Sequence, residues 1–198
     1  MTFKQFFFIP LFIAVLAVIL VMLAPPSPVV VPFLWTWIAF QAWAVYFLAG
    51  GTPKTGVKVM LGYLGGAVAS AAIMELRGVL VPHVGAAPAL AIAVFIVVIG
   101  VISSERVPWF DFVPSWFIGA GVFFGVMSIH TGWTWKSDGK STERFLHYLE
   151  TGTHLMVSCF VGQIFGWVTV LIRGKYEAWL AAKHPELAAK DEGGDGQE

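Results

Sequence analysis

The sequence predicts an all-α, polytopic membrane protein with six transmembrane helices, and three observations predict it. Of its 198 residues, 58% are hydrophobic and only 12% charged, about half the charged share of a soluble domain. Mean hydropathy is +0.78. Apolar runs of about 20 residues, the length that crosses a bilayer core, recur between breaks rich in Pro, Gly and charge. Twelve basic residues balance twelve acidic ones, so no electrostatic field favours nucleic acid. A lone cysteine, Cys159, excludes an internal disulfide and a thiolate metal cluster. No cofactor is implied.

The spans follow in order. Residues 6–24 form the first run, which stops at Ala24-Pro25-Pro26-Ser27-Pro28, where proline removes helix donors. Lys4 before an apolar stretch also fits a signal peptide, but Pro25-Pro26 makes a poor cleavage site and a retained helix is expected. Residues 29–49 form the second span, closed by Gly50-Gly51-Thr52-Pro53, and residues 56–80 the third. Residues 87–103, 112–129 and 153–172 form the fourth, fifth and sixth. Residues 130–152 read as an outer loop with a short helix at 142–151. The chain thus divides into a transmembrane domain at 1–175 and a segment at 176–198. That segment begins as an interfacial helix bearing Tyr176 and Trp179 and ends in a disordered acidic tail.

Orientation follows from basic residues. With six spans, eight of the twelve Lys and Arg fall on the side of the termini and four on the other. Both termini are therefore expected in the cytoplasm.

An internal repeat links the second and fifth spans. Phe40, Val45 and Phe47 match Phe117, Val122 and Phe124, and Ala42 and Ala44 align with Gly119 and Gly121. Each span also follows a Val-Pro pair, Val31-Pro32 and Val113-Pro114. The third and sixth spans share Gly-x-x-x-Gly, Gly62 to Gly66 and Gly162 to Gly166. Three helices per unit, at about 6–81 and 87–173, would place the second unit upside down, an inverted-topology repeat. Chance matching is the competing reading, because apolar helices share a small alphabet.

The aromatic, small-residue second span Phe40–Phe47, followed by Gly50-Gly51, then residues 113–124 and Gly162-x-x-Phe165-Gly166, resembles the YcdZ-like family. These are small bacterial inner-membrane proteins carrying a domain of unknown function. The resemblance covers about residues 30–182 and implies an inner-membrane location with no established activity. The 130–152 segment departs from that pattern by its length.

Residues that could carry chemistry are few. Glu75 and Arg77 are the ionisable groups near a span end; two apart on a helix, they face different directions. They are read either as interfacial charges reaching water or as a charged vestibule. Gly62, Gly66, Gly119, Gly121, Gly125, Gly162 and Gly166 suit close helix packing. Phe40, Trp43 and Phe47 share a helical face, and with Phe117 and Phe124 they are expected to form a hydrophobic constriction on the repeat axis. A packed core or a lipid face is the alternative. His147, Glu150 and His154 fall at i, i+3 and i+7, a weak metal-ligand pattern interrupted by Gly152.

The expected function is passive conduction or simple transport of a small, unidentified solute by a homo-oligomer in the lipid bilayer. The alternatives are a non-transporting anchor or assembly subunit and, remotely, a metal-dependent enzyme.

Overall fold

The computed structural model of the chain describes residues 3–25, 31–131 and 141–184. Six α-helices form it: α1 (Phe3–Leu23), α2 (Thr36–Leu48), α3 (Pro53–Val84), α4 (Ala86–Ser103), α5 (Val113–Thr131) and α6 (Ser141–Lys183), with one 3-10 turn at Ser104–Arg106. Four helical segments are long and apolar enough to cross a membrane: Gln5–Leu23, Pro53–Val84, Ala86–Arg106 and Glu143–Lys183. The chain is therefore a multi-pass membrane protein.

The expected second and fifth spans are shorter apolar helices, Thr36–Leu48 and Val113–Ser128. The 13 residues of α2 rise roughly 20 Å, less than a 30 Å hydrocarbon core. Two other expectations are corrected at α6, which runs 43 residues without a break. The short helix at 142–151 and the interfacial helix after 175 are both parts of it. A single internal glycine costs a helix about 1 kcal/mol, and Gly152 does not offset the bonds gained by continuing. Residues 132–140 and the acidic tail lie outside the described residues.

Local chemistry sets the breaks. Gly50 (φ 96°) and Gly51 (φ 65°) end α2 in a conformation that other residues adopt with strain. Thr52 then caps α3 in a reciprocal box with Thr55, with Pro53 in the first turn.

The entries to α2 and α5 are built alike. In Val31-Pro32-Phe33-Leu34 the Leu34 amide donates to the Val31 carbonyl, and in Val107-Pro108-Trp109-Phe110 the Phe110 amide donates to the Val107 carbonyl. Proline takes the second position of each turn, and an aromatic residue takes the third at positive φ, Phe33 at 63° and Trp109 at 78°. This is the pattern of a type II turn with an aromatic where glycine is usual. The equivalent of Val31-Pro32 is thus Val107-Pro108 rather than Val113-Pro114; Pro114 instead lies in the first turn of α5, where its missing N–H is harmless.

Packing centres on two parallel pairs, α3 with α5 and α2 with α6. A Cβ on Gly66 would press on the Trp116 carbonyl oxygen and lie 2.5 Å from the Ala120 amide nitrogen. A Cβ on Gly162 would press on the Ala39 carbonyl oxygen and lie 2.9 Å from the Trp43 amide nitrogen. Aligning Phe40 with Phe117 pairs Ala39 with Trp116 and Trp43 with Ala120, so Gly66 and Gly162 have matching surroundings. The match expected from spacing, Gly66 with Gly166, is displaced by one helical turn. Each seam also carries one donated hydrogen bond, from Ser70 Oγ to the Ala120 carbonyl (3.1 Å) and from Gln163 Nε2 to the Ala42 carbonyl (2.7 Å).

The two pairs meet where α3 crosses α6, in a buried cluster that includes Ile38, Val59, Tyr63, Phe123, Leu155 and Cys159. α1 adds Leu16 and Leu20 to a second cluster with Trp43 and Phe165. α4 lies against α3 and buries only Ala89 and Ala93.

Substitution of Gly66 or Gly162 by Leu is expected to abolish a monodisperse, cooperatively unfolding species in detergent, because backbone atoms cannot yield. Leu at Gly121 or Gly125, where an added Cβ meets nothing within 4 Å, should leave the thermal midpoint within a few degrees. Equal tolerance at all four positions, measured by thermal denaturation of purified protein, would remove the seams from the account.

Candidate functional site

Polar groups are strung along the antiparallel α3–α6 contact. At one end Glu75 accepts from Arg144 through both carboxylate oxygens, Nε to Oε1 at 2.7 Å and Nη2 to Oε2 at 2.9 Å. The Tyr148 hydroxyl donates to Oε1 at 3.0 Å. The residue that answers Glu75 is therefore on α6, while Arg77 lies half-buried on a neighbouring face of α3. Bidentate pairing is the strong geometry for a carboxylate. A charge near a span end is thereby paired, with Glu75 and Arg144 both still partly exposed.

Toward the middle of the contact, Tyr63 of α3 and Cys159 of α6 are both fully buried. One to two turns further, Gly56 makes room for two groups. A Cβ there would lie 3.0 Å from Tyr46 Cε2 and 3.3 Å from Gln163 Oε1. A helical side chain leans toward its own N-terminus, which carries the Tyr63 hydroxyl toward this turn. Among the described residues, Tyr46 Oη, Tyr63 Oη and Gln163 Oε1 are buried without a hydrogen-bond partner, as are Gln41 Oε1 and Trp43 Nε1. A polar atom left so in a hydrocarbon-surrounded core costs on the order of several kcal/mol. Tyrosines and a glutamine in apolar helices carry neither charge nor glycine spacing, so no local pattern marks them in the sequence as a polar group.

The expected aromatic constriction does not form. α2 packs on α6 and α5 on α3, so the four Phe rings have no shared axis. Phe40, Phe47 and Phe117 are 37%, 45% and 50% exposed on outward faces. Phe124 packs on the main cluster, and Trp43 is buried beside Phe165 with ring centroids 5.6 Å apart. Among the glycines, Gly62, Gly66, Gly119, Gly162 and Gly166 lie against a neighbouring helix, whereas Gly121 and Gly125 face open space.

His147, Glu150 and His154 are not brought together. His147 Nδ1 stands 3.7 Å from Glu150 on an exposed face. His154 turns away, stacks on Trp35 at 4.1 Å, and donates from Nδ1 to the Phe33 carbonyl at 2.9 Å. No group of three or more metal-ligating side chains occurs among the described residues. The role of His154 is mechanical. With Ser158 Oγ, which accepts from the Trp35 amide at 2.8 Å, it satisfies the non-helical backbone that leads into α2.

The corresponding tie before α5 is ionic. Lys58 Nζ of α3 pairs with Asp111 of the 107–112 segment. The hydrogen bond from Lys58 holds the Asp111 carboxyl below the usual carboxylate range.

Residues 10–173 match the model of a family described as a protein of unknown function (DUF1097), and the chain belongs to that family. No curated protein matches the chain, and no solved structure does.

The Lys58–Asp111 tie makes a pH-dependent contribution whose sign is fixed. A carboxyl held low in the folded state stabilises above its unfolded pKa, about 4, and loses that contribution as pH falls through the folded value. The thermal midpoint of Asp111→Asn is expected below that of the parent at pH 7, with the gap closing under acid. A gap that persists unchanged at pH 3 would contradict the ionic tie.

Proposed function

We propose that the chain conducts a small neutral, hydrogen-bonding solute along the α3–α6 contact, as a passive channel or simple transporter of the bacterial inner membrane. The location is the one that the likeness to YcdZ-like proteins implies. The observation that carries the reading is the set of buried atoms at Tyr46, Tyr63 and Gln163 that have no partner within the described chain. Buried polar groups left without a protein partner call for water or another polar visitor. The stretch around Gly56 holds hydroxyls and an amide, and the carboxylates near the two ends of α3, Asp111 and Glu75, are matched by Lys58 and Arg144. An ion would therefore lose its hydration there without gaining a counter-charge, while a neutral solute would exchange water for protein hydrogen bonds.

The architecture proposed around this path is two inverted three-helix units, six crossings in all, with both termini cytoplasmic. Support comes from the twin Val-Pro-aromatic turns, the matching surroundings of Gly66 and Gly162, and one donated bond per seam. The 19 residues of α5 rise roughly 28 Å and span by themselves, and the short α2 spans when Leu34 and Trp35 are included, which leaves Phe33 at the membrane surface. The backbone entering α2 is supplied with partners, Ser158 and His154. Non-helical backbone at membrane depth requires such partners. A second reading, a non-transporting anchor or assembly subunit, is favoured by the outward-facing Phe40, Phe47 and Phe117.

Purified protein in liposomes is expected to raise the flux of urea and glycerol several-fold over protein-free vesicles, without raising that of potassium. Tyr46→Phe and Tyr63→Phe, which remove hydroxyls that brace nothing in the described chain, should change the solute flux at least threefold while folding normally. Vesicles no more permeable than empty ones would reject conduction and favour the anchor.

A further inference from the structure

A second site lies away from this path, at the start of α3. A cleft of about 270 Å³ opens there between the first turns of α3 and the segment after α4, lined by Lys54, Lys58, Glu105, Arg106, Trp109 and Asp111. Lys58 is occupied by Asp111. Among the described residues, neither Lys54 nor Arg106 is in an ion pair, and together they outnumber Glu105. Lys54 stands 5.8 Å from the centroid of the Trp109 ring, which leaves its ammonium beside the opening. The first amides of a 32-residue helix add a partial positive charge at the same place.

The setting narrows the occupant. The cleft lies where two membrane-spanning segments end, Pro53–Val84 at its start and Ala86–Arg106 at its finish, hence at a bilayer surface. Its rim is apolar and open: Val107 and Trp109 are 49% and 45% exposed. Trp109 is held outward by its turn at positive φ, a conformation unfavourable for a non-glycine residue. A soluble anion would use the cations and leave the rim idle. A phospholipid uses both, its phosphate on Arg106 and Lys54 and its chains against Val107 and Trp109. Arginine gives a phosphate two parallel N–H donors, and basic pockets between membrane helices suit anionic headgroups.

We propose that this cleft is a binding site for the phosphate of an anionic phospholipid headgroup. The assignment does not depend on the solute path, since none of its residues lies on the α3–α6 contact.

The test uses full-length protein in detergent titrated with dioleoyl-phosphatidylglycerol, dioleoyl-phosphatidylcholine or inorganic phosphate, with the thermal midpoint as readout and native mass spectrometry counting bound lipid. Phosphatidylglycerol is expected to raise the midpoint saturably, and phosphatidylcholine is not. The double variant Lys54→Gln/Arg106→Gln should bind phosphatidylglycerol at least tenfold more weakly, with an unaltered midpoint in phosphatidylcholine. Lys175→Gln/Lys183→Gln, equal in charge change but on the last turns of α6 and not part of the cleft lining, should bind as the parent does. A phosphatidylglycerol response that survives in the first double variant, or is lost equally in the second, overturns the site. An equal response to millimolar inorganic phosphate overturns the lipid assignment. No response to any of the three overturns both.

Discussion

Inside a bilayer an apolar side chain gains nothing by leaving lipid for protein, so helices stay together only where their surfaces fit closely or exchange hydrogen bonds. In this chain that constraint is met where Gly66 lies on the backbone of α5 and Gly162 on the backbone of α2. The remaining arrangement depends on those two contacts. They set α3 beside α5 and α2 beside α6, and this brings α3 across α6 with Tyr63 and Cys159 in one cluster. α1 and α4 then lie at the periphery, each with only 11% of its apolar window buried. Large lipid-facing residues such as Phe95, 68% exposed, belong to those outer helices and need no partner.

Polar groups divide by whether they are answered. Glu75 is answered by Arg144 and Tyr148, the chain before α2 by His154 and Ser158, and Asp111 by Lys58. Each of these joins elements far apart in sequence and holds a place where a helix ends or a span is short. The hydroxyls of Tyr46 and Tyr63 and the amide oxygen of Gln163 are unanswered, and Tyr46 and Gln163 meet at Gly56. The contrast gives those three atoms a reading as a path rather than a brace.

Much of the fold is legible in the sequence because hydrocarbon imposes length and polarity on every segment. The breaks at Pro25, at Gly50-Gly51 and at Pro108 are visible as residues that cannot continue a helix or that adopt positive φ without strain. Partner choice is less legible. The match of Phe40–Phe47 with residues 117–124 points to related spans, yet it does not say that each packs on a third helix rather than on the other. Surface fit decides that, and Gly66 and Gly162 look no different in sequence from Gly121 or Gly125. The turn at Trp109 was equally hidden, because an aromatic stands where positive φ calls for glycine. The bond between Glu75 and Arg144 spans 69 positions, beyond any local spacing rule. Of the candidate path, only Glu75 was visible, by its charge; Tyr46, Tyr63 and Gln163 matter through burial, which an apolar sequence does not rank.

The inverted repeat is the claim on which the proposed architecture turns, and the two turns built alike offer a direct measurement. Phe33 and Trp109 occupy the same position in them and are both about half exposed, so a cysteine at either reaches a thiol reagent, whereas the native Cys159 is buried. Three crossings separate the two turns in the proposed topology. In sealed, uniformly oriented vesicles, a membrane-impermeant maleimide is predicted to label Phe33→Cys from one side only and Trp109→Cys from the other only. Labelling of both from the same side would contradict the inverted repeat and the six-crossing topology proposed with it.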